Sequence, residues 1–506
     1  MSISSTALLI SYILNIASIF FILFFERSTP ARRFTWILAI AFIPGLGVLL
    51  YILLSGSFFT RTKRMAEATS RANARYAHIL KSQHTNLEEL VKTGTHPGIS
   101  EISSLIHMNL VHGKSPVTIH NEVTILTSGQ EKYPMLFEEI QLAEKSIHLS
   151  YFIFKNDVIG RHLVSLLAER AARGVQVRLL YDHVGSISTS PRLFLPLIQA
   201  GGQVSRFFPV SPFNLFPLNY RNHRKIVVID GNIGYFGGMN IGDEYANAST
   251  ERPYYWRDTH IRVCGPAVAL LQKQFLVDWH TATVGDDRAM DDHGQPPSPD
   301  TALVPHESSP PREGSLARTV TRTHSVPMQI VSSGPDDAKN DEIRDALIHM
   351  INRAKKTVYI ESPYFTPDAE FFSALKIAAL SGLDVQVIVP GNWDKWYVKQ
   401  AAYSYILELS AYGVQFWKYN GFIHAKMLVI DGKTATIGST NIDSRSFSLH
   451  FELNAFFYSP EFGKECTNLF KDDLSRSKHI DPQTLKKTPL RTKALWTFFR
   501  LFAPLM

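Results

Sequence analysis

The chain of 506 residues contains almost no cysteine, which excludes two ways of holding a fold together. With only Cys264 and Cys466 present, neither a disulfide framework nor a zinc site with several cysteine ligands is available. Acidic or cysteine–histidine clusters with the spacing of metal ligands are missing too, so we predict neither a metal site nor a cofactor. The G-x-S-x-G nucleophile elbow is also absent, which argues against a serine hydrolase.

Charged side chains are absent from residues 1–25. Residues 7–25 are almost continuously apolar and about long enough to cross a bilayer. A second apolar stretch covers residues 34–59, with Trp36 and Tyr51 near its ends, where interfacial aromatic residues are expected. The first stretch lacks the basic start and the cleavage site of a signal peptide, and a buried core hairpin rarely excludes charge so completely. We therefore predict two transmembrane helices within residues 1–60.

The chain as a whole is basic, with a formal net charge of +7 and a pI near 9.1. This balance favours an anionic partner but does not distinguish nucleic acid from an anionic membrane. More Lys and Arg follow the second apolar stretch than precede it, which weakly favours an N-terminus and a main domain in the cytoplasm. A re-entrant hairpin with both basic clusters at one surface is the alternative.

One short pattern occurs twice with identical spacing. A histidine is followed by a lysine two residues later, by an aspartate five residues after that, and then by G-x-x-N. A single H-x-K-x4-D occurs by chance in roughly one chain of this length in twenty, but two copies with the same continuation do not. The matched pairs are His223 and His424, Lys225 and Lys426, Asp230 and Asp431, Gly237 and Gly438, and Asn240 and Asn441.

Each copy has the form of a strand that enters a hairpin. Residues 225–229 and 426–430 are mostly β-branched or apolar, and an Asp-Gly turn follows each run. Residues two apart on a strand point to the same side, so His223 and Lys225 project together, as does the second pair. An imidazole and an ammonium group on one face suit a phosphate group.

The duplication extends over whole half-domains. From residue 117 strand-like and helical segments alternate, and the same order returns after residue 327, which predicts an α/β layered fold for each half. The segment between them is rich in Pro and Ser without apolar periodicity, and we interpret it as a loosely ordered insertion. The predicted divisions are a membrane segment at 1–60, a connector at 61–116, half-domains at 117–284 and 327–480, the insertion at 285–326, and an amphipathic C-terminal tail at 481–506. The tail either lies at a lipid surface or packs on the globular part.

Two half-domains with one histidine and one lysine each suggest a single site on a pseudo-twofold axis. One histidine can attack phosphorus and hold it covalently, while the other protonates the leaving oxygen and then activates the incoming alcohol. Lys225, Lys426, Asn240 and Asn441 can stabilise the charge that develops on the phosphate. Because these cations are side chains, the chemistry needs no metal.

A nucleophilic imidazole needs a partner, usually a carboxylate, that fixes its tautomer. Glu452, on a predicted strand after the second motif, and Asp258, in a comparable position after the first, are the candidates for this second layer of the site. Glu251, Asp243 and Glu244 are rivals for the role of Asp258.

Asp230 and Asp431 belong to the paired motif and are grouped with its catalytic residues, but each sits where a strand meets a turn. There the carboxylate can pin the turn or pair with a cation, so we interpret these aspartates as more structural than catalytic. Ser439 is a possible donor to phosphate. The first copy has Gly238 at the matched position, so symmetry does not require that hydroxyl.

At these residues the sequence resembles the phospholipase D superfamily, whose members carry paired H-x-K-x4-D motifs followed by G-G/S-x-N. Within it, the likeness is nearest to bacterial cardiolipin synthases with two N-terminal transmembrane helices. That likeness includes E-R-x-x-P-A, F-I-P-G-L-G-V-L-L-Y, Y-F-I-F-K-N-D-x-x-G, E-S-P-Y-F-T-P-D and the ending A-P-L-M. It covers nearly the whole chain except the insertion, which is longer than the family pattern expects. The implied fold is two duplicated phospholipase D-like α/β sandwich halves that share one active site.

The resemblance implies that a phosphatidyl group passes from one phosphatidylglycerol, through a phosphohistidine, to the hydroxyl of another, which gives cardiolipin and glycerol. By analogy His223 is the nucleophile and His424 the general acid, although the near symmetry of the copies leaves that order open. The resemblance also implies a multi-pass protein of the bacterial inner membrane. Its partners would be phosphatidylglycerol and anionic membrane lipid, with no nucleic acid, and its oligomeric state stays unassigned.

Three alternative functions remain. A hydrolytic phospholipase D of the same fold would release phosphatidic acid, and it differs only in whether water or a lipid alcohol reaches the phosphoenzyme. A nuclease of the superfamily suits the basic charge, but it has no need of membrane segments. A non-catalytic membrane scaffold has no use for two intact histidine–lysine pairs.

Overall fold

The structure is a computed structural model of the chain. It describes residues 3–26, 30–54, 101–210, 216–249, 254–283, 323–335 and 341–505. Most of the predicted connector therefore lies outside the described residues, and so does the predicted insertion apart from residues 323–326.

Three helices form the N-terminal part: α1 (Ile3–Phe24), α2 (Pro30–Phe42) and α3 (Leu46–Leu54). One small apolar cluster joins them, made of Ile22, Trp36, Ile40, Val48 and Tyr51. Judged on the residues that the structure describes in full, none of the helices is both long and apolar enough to cross a membrane. The two predicted transmembrane helices are therefore not confirmed.

The first half alternates strands and helices, as the sequence predicts. Its elements are α4 (Ser103–Val111), β1 (Thr118–Leu126), α5 (Gly129–Leu142), β2 (Ser146–Tyr151), α6 (Val158–Ala172), β3 (Gln176–Asp182), α7 (Leu195–Gln199), β4 (Gln203–Phe207), β5 (Ile226–Ile229), β6 (Ile233–Gly237), β7 (Trp256–Arg257), β8 (His260–Cys264) and α8 (Ala267–Thr283). Local signals set the limits of α6. Asp157 accepts a hydrogen bond from the N–H of Gly160 at its start, and Gly174, with φ of 88°, follows its end.

The second half repeats this order. Its elements are β9 (Thr323–Ser333), α9 (Glu342–Arg353), β10 (Thr357–Glu361), β11 (Phe365–Thr366), α10 (Ala369–Leu380), β12 (Asp384–Pro390), α11 (Trp396–Ser410), β13 (Gln415–Tyr419), β14 (Phe422–Ile423), β15 (Met427–Ile430), β16 (Thr434–Gly438), β17 (Ile442–Asp443), α12 (Ser444–Ser448), β18 (Glu452–Phe457) and α13 (Pro460–Ser475). The helix signals are repeated too. Asp368 caps α10 by accepting from the N–H of Phe371, and Gly382, with φ of 86°, follows it.

One 15-stranded sheet runs through both halves in the order β4-β3-β2-β5-β6-β8-β1-β9-β18-β16-β15-β10-β12-β13, with β19 (Ser477–His479) at the far edge. Each strand of the first half has its counterpart at the same distance from the β1–β9 joint. Apolar side chains cover both faces, as expected of a sheet between helix layers. Val227 packs with α5 and α6, whereas the neighbouring Val228 packs on the other face with α8 and α13.

The joint between the halves explains one difference from the sequence prediction. Strand β9 begins at Thr323, inside the segment predicted as an insertion up to residue 326. Thr323 pairs with Val123, and Val326 pairs with Asn121, both in β1. These partners lie about two hundred residues away in the sequence, so a local composition signal could not detect them.

The C-terminal tail forms α14 (Pro482–Lys486) and α15 (Leu490–Arg500). Trp496 of α15 is buried in the core cluster of the second half and lies against Tyr403 of α11, with ring centroids 5.3 Å apart. Of the two arrangements that the sequence left open, packing on the globular part is therefore present. Phe498 of α15 and Leu501, which follows the helix, are more than half exposed.

Candidate active site

The two motif histidines lie where the halves exchange backbone hydrogen bonds. The N–H of His223 donates to the carbonyl of Phe451 in the second half at 2.9 Å. The N–H of His424 donates to the carbonyl of Arg257 in the first half at 2.6 Å. Each histidine is thus held by backbone that belongs to the other copy.

The carboxylates cross over in the same way. Nδ1 of His223 lies 3.0 and 3.1 Å from the two carboxylate oxygens of Glu452, and Nδ1 of His424 lies 2.6 Å from Oδ2 of Asp258. A carboxylate that accepts from Nδ1–H leaves Nε2 as the atom with a free electron pair. The structure therefore brings both sequence candidates to the histidines and assigns each to the histidine of the other half.

Further hydrogen bonds fix the two carboxylates. The N–H of Thr259 donates to Asp258 at 2.7 Å, and the hydroxyl of Ser439 donates to Oε2 of Glu452. Burial opposes ionisation of Asp258, but His424 and Lys426 bring its pKa below the ordinary value. Burial raises the pKa of Glu452 to about 7, against the opposing effect of Lys225. Ser439, considered from the sequence as a donor to phosphate, instead orients Glu452.

Both histidines have lowered pKa values. Burial and then the charge of Lys426 lower the pKa of His424 to about 4, although Asp258 partly opposes the shift. Burial and then Lys225 and Lys426 bring the pKa of His223 well below 6.5. Both imidazoles are therefore neutral at pH 7, which is the state that a nitrogen nucleophile needs.

The two motif lysines are buried beneath the histidines. Nζ of Lys225 donates to the carbonyl of His223 at 2.6 Å, and Nζ of Lys426 donates to that of His424. Burial lowers the pKa of Lys426 to about 8 and that of Lys225 well below 10.5. An anion bound above them would favour their charged forms and be stabilised in return.

The two motif asparagines line the same cavity as the histidines. Oδ1 of Asn240 accepts from the N–H of Ile153 at 3.0 Å, and its Nδ2 donates to the hydroxyl of Tyr245 at 2.6 Å. Asn441 occupies the matched position in the second half and is also buried. The motif histidines and asparagines thus converge from both halves on one place, which the motif lysines do not line.

That place is a cavity of about 440 Å³ at the junction of the halves. Its volume suits a lipid headgroup and is small for two acyl chains. Residues that line it include Phe152, Lys155, Arg221, His223, Asn240, Glu244, Tyr245, Trp256, Tyr364, Asp394, Lys395, Tyr397, His424, Asn441, Asp443, Arg445 and His450. Of this set, the sequence predicted the histidines and asparagines as site residues and named Glu244 as a rival for the role of Asp258.

Asp230 and Asp431 do not line the cavity and lie at the other ends of their strands. Asp230 accepts from the N–H groups of residues 144–146 at 2.7 to 2.9 Å, and Asp431 accepts from those of residues 355–357 at 2.7 to 3.0 Å. Both residues have positive φ, 53° and 54°. In this geometry the two aspartates stabilise the turns, which does not support their grouping with the catalytic residues.

One group of side chains has the composition of a metal site. Ligand atoms of His223, His450 and Glu452 lie within 4.8 Å of one another. In this arrangement Nδ1 of His223 is already bonded to Glu452, and Lys225 and Lys426 act on His223 as positive charges. We therefore keep the prediction of metal-independent chemistry.

Comparison with known families matches residues 136–279 and 347–474 to the model described as "Cardiolipin synthase, PLD-like domain". Residues 13–56 match the model described as "Phospholipase D-nuclease N-terminal". The first match covers both half-domains, including both histidines and both carboxylates.

Among curated relatives, the major cardiolipin synthase ClsA of Bacillus subtilis (strain 168) is 38% identical over 509 residues and is covered completely, as is this chain. A cardiolipin synthase of Listeria monocytogenes is 37% identical, with 99% of this chain and 98% of the relative covered. The crystal structure of phosphatidylserine synthase from Haemophilus influenzae Rd KW20 has a TM-score of 0.55 at 14% identity, covering 80% of this chain and 100% of that one. This last likeness concerns the fold alone. The chain belongs to the cardiolipin synthase family of the phospholipase D superfamily.

Proposed function

We propose that the protein is a phosphatidyltransferase that makes cardiolipin and glycerol from two molecules of phosphatidylglycerol. The observation that carries this proposal is the crossed pair of histidine–carboxylate contacts in one cavity. A site of this kind provides two neutral imidazoles above two buried ammonium groups, which is what the two-step transfer of a phosphodiester requires. Full-length similarity to proteins named cardiolipin synthase selects the substrate class.

In the first step, Nε2 of one histidine attacks phosphorus and forms a P–N bond. The P–O bond to the headgroup glycerol breaks, and the other histidine gives the leaving oxygen a proton. The anionic phosphodiester raises the pKa of that second histidine when it binds, because it offsets the charge of the lysines. The family resemblance gives the nucleophilic role to His223 and the acid role to His424.

In the second step, a hydroxyl of another phosphatidylglycerol attacks the phosphohistidine. The second histidine, now neutral, takes the hydroxyl proton, and the P–N bond breaks as the new P–O bond forms. Lys225, Lys426, Asn240 and Asn441 donate to the oxygens on which negative charge develops in both steps. Glu452 and Asp258 hold each imidazole in the required tautomer. No metal or cofactor enters this scheme.

We also propose that the protein is a multi-pass protein of the bacterial inner membrane, anchored through residues 1–60. The apolar sequence of that segment supports this placement, and so does the exposure of large apolar side chains such as Ile16, Phe24 and Phe42. The exposed side chains of Phe498 in α15 and of Leu501, which follows it, offer a second contact with lipid.

The test is product analysis with the purified full-length protein in detergent micelles that contain phosphatidylglycerol and EDTA. The proposal expects cardiolipin with an equal amount of free glycerol, identified by mass spectrometry and an enzymatic glycerol assay. Phosphatidic acid without cardiolipin would instead make the protein a hydrolytic phospholipase D. A strict requirement for a divalent metal would contradict the metal-free scheme.

A further inference from the structure

The two copies of the site differ at several matched positions around the cavity, and three of these positions adjoin the motif residues and their carboxylates. These positions are two residues before the motif histidine, four residues after the motif asparagine, and two residues before the carboxylate. The pairs, with the first half named first, are Arg221 and Phe422, Glu244 and Arg445, and Trp256 and His450. All of these residues except Phe422 line the cavity.

The crossing of the halves collects the basic members of these pairs beside His223. The ring of His450 lies 5.6 Å from that of His223, and Nε of Arg445 lies 3.4 Å from Nε2 of His450. Burial and then the charges of Arg445 and Arg221 lower the pKa of His450 well below 6.5, and Lys395 adds to the lowering of the pKa of His223, which burial dominates. We call Arg221, Arg445 and Lys395, together with the uncharged His450 that contacts Arg445, the cationic wall.

Aromatic side chains surround the other histidine. The rings of Phe422 and Trp256 each lie 5.7 Å from that of His424, and the ring of Tyr245 lies 6.0 Å away. On this side the acidic member of the pairs, Glu244, forms an ion pair of 2.7 Å with Lys155. His223 has an aromatic neighbour as well, Phe152, at a ring distance of 4.8 Å, so the two ends of the site differ chiefly in charge: cations gather beside His223, whereas Lys155 is balanced by Glu244 at the other end.

Three carboxylates, those of Asp182, Asp394 and Asp443, lie near the cationic wall, and the last two also line the cavity, but each has a partner of its own in the fold. Asp182 lies 3.4 Å from Arg221 but is fully buried and does not line the cavity. Asp443 accepts from the N–H of Ser446 at the start of α12, and burial raises its pKa. Asp394 accepts from the hydroxyl of Tyr364 at 2.7 Å.

The transfer reaction needs an anion site of this kind. The phosphoenzyme already carries one charged phosphorus centre, and the incoming phosphatidylglycerol brings a second, a few bonds from its attacking hydroxyl. Two negative charges at that separation repel each other, and cations beside the second phosphate offset this repulsion. The motif lysines and asparagines are already committed to the first phosphate.

We propose that the cationic wall binds the phosphate of the second lipid, the phosphatidylglycerol whose hydroxyl attacks the phosphohistidine. This inference rests on the proposed function. The wall selects an acceptor alcohol that carries a phosphodiester over a neutral alcohol or water. It thereby directs the phosphoenzyme towards cardiolipin.

The test measures how one phosphoenzyme divides between two acceptors. The full-length protein in phosphatidylglycerol micelles receives glycerol and glycerophosphoglycerol, the deacylated headgroup, at equal concentration and with different isotopic labels. The ratio of the two labelled lipid products depends on the acceptor alone, because both products come from the same intermediate. The wild type is expected to prefer glycerophosphoglycerol, and Arg445→Gln and Lys395→Gln are each expected to reduce that preference about tenfold.

Lys155→Gln provides the matched control, because Lys155 lines the cavity on the side of His424 and is expected to leave the ratio unchanged. Lys395 is exposed, so its substitution does not threaten folding. If both wall variants kept the wild-type ratio, or if Lys155→Gln reduced it equally, the wall would not be the acceptor site. If the wild type transferred to neither acceptor and made no cardiolipin, the proposed function itself would fail and the inference with it.

Discussion

Each motif imidazole is hydrogen-bonded to a carboxylate from the opposite half. His223 is hydrogen-bonded to Glu452, and His424 is hydrogen-bonded to Asp258. A second hydrogen bond fixes each carboxylate: the hydroxyl of Ser439 donates to Glu452, and the N–H of Thr259 donates to Asp258. Such a contact holds the tautomer and stabilises the imidazolium that forms during proton transfer. The carboxylates therefore act through the histidines as positioning residues.

Glu452→Gln and Asp258→Asn should each lower kcat about 100-fold or more and change KM little. The amide keeps the size of the side chain but no longer acts solely as an acceptor, so the imidazole loses its fixed tautomer. Steady-state kinetics with phosphatidylglycerol, together with the pH profile, would measure the effect. A fall in kcat without any change in the pH profile would point to a structural role only.

The lowered pKa of His424 links stability to pH. Its pKa falls from 6.5 to about 4 on folding, so the unfolded chain binds this proton more tightly. The contribution of His424 to the free energy of unfolding is fully present above pH 6.5. It is lost as the pH falls towards 4, by up to about 3 kcal/mol. His424→Gln removes this titration, so its free energy of unfolding should fall less than that of the wild type between pH 6.5 and 4. Denaturant unfolding at both pH values measures this, and parallel losses would contradict the pKa.

The position of the cationic wall bears on which histidine is the nucleophile and which is the general acid. An acceptor that binds beside His223 would lose its proton to His223, which would leave His424 as the nucleophile. The family resemblance gives the reverse order. Identification of the histidine that carries the phosphate decides between the two arguments.

At the scale of elements, the hairpins that carry the motif are pinned by their aspartates. Asp431 satisfies three consecutive backbone N–H groups at the start of β10 while its own backbone has a positive φ. Asp230 does the same for β2. Two neighbouring strands are thereby held in register below each histidine.

Asp431→Ala should lower the free energy of unfolding by about 2 kcal/mol, because three N–H groups lose their acceptor and alanine disfavours a positive φ. The activity of the folded fraction should stay within about twofold of wild type. Asp431→Asn is the matched control, since asparagine tolerates this backbone conformation and keeps one acceptor oxygen. Loss of activity in a fully folded Asp431→Ala protein would restore the aspartate to the catalytic group.

Much of the element structure was predictable from local sequence. The strands that hold the motifs, their turns and the alternation with helices follow from β-branched runs, Asp-Gly turns and helix caps. The crossed pairing of Glu452 with His223 was not predictable, because the two residues are 229 positions apart. The cationic wall was not predictable from the sequence for a different reason. Residues that are identical in the two copies mark the site in the sequence, and Arg221 and Arg445 are at positions where the two copies differ.

At the scale of the whole molecule, the two halves form one catalytic unit. Besides the β1–β9 joint, Arg224 donates to the carbonyls of Glu452 and Ser333 at 3.0 and 2.9 Å, and Arg257 forms a buried ion pair of 2.8 Å with Asp473. Neither half alone supplies a histidine together with its carboxylate. The site therefore exists only while the halves are joined.

A protease site introduced near residue 300 tests this unity. After cleavage the halves should stay associated and the transferase should keep most of its activity, because the contacts that join them are non-covalent. Each half expressed alone should be inactive, and co-expression should restore activity. Activity in a single half would show that the crossed contacts are not required.

The most direct test of the central claim is to trap the covalent intermediate. Full-length protein is mixed with phosphatidylglycerol labelled at phosphorus, quenched with alkali within milliseconds, digested and mapped by mass spectrometry. We predict an acid-labile, alkali-stable label on a peptide that contains either His223 or His424, and no label in the His223→Ala, His424→Ala double variant. Continued formation of cardiolipin with no label on either histidine would contradict it.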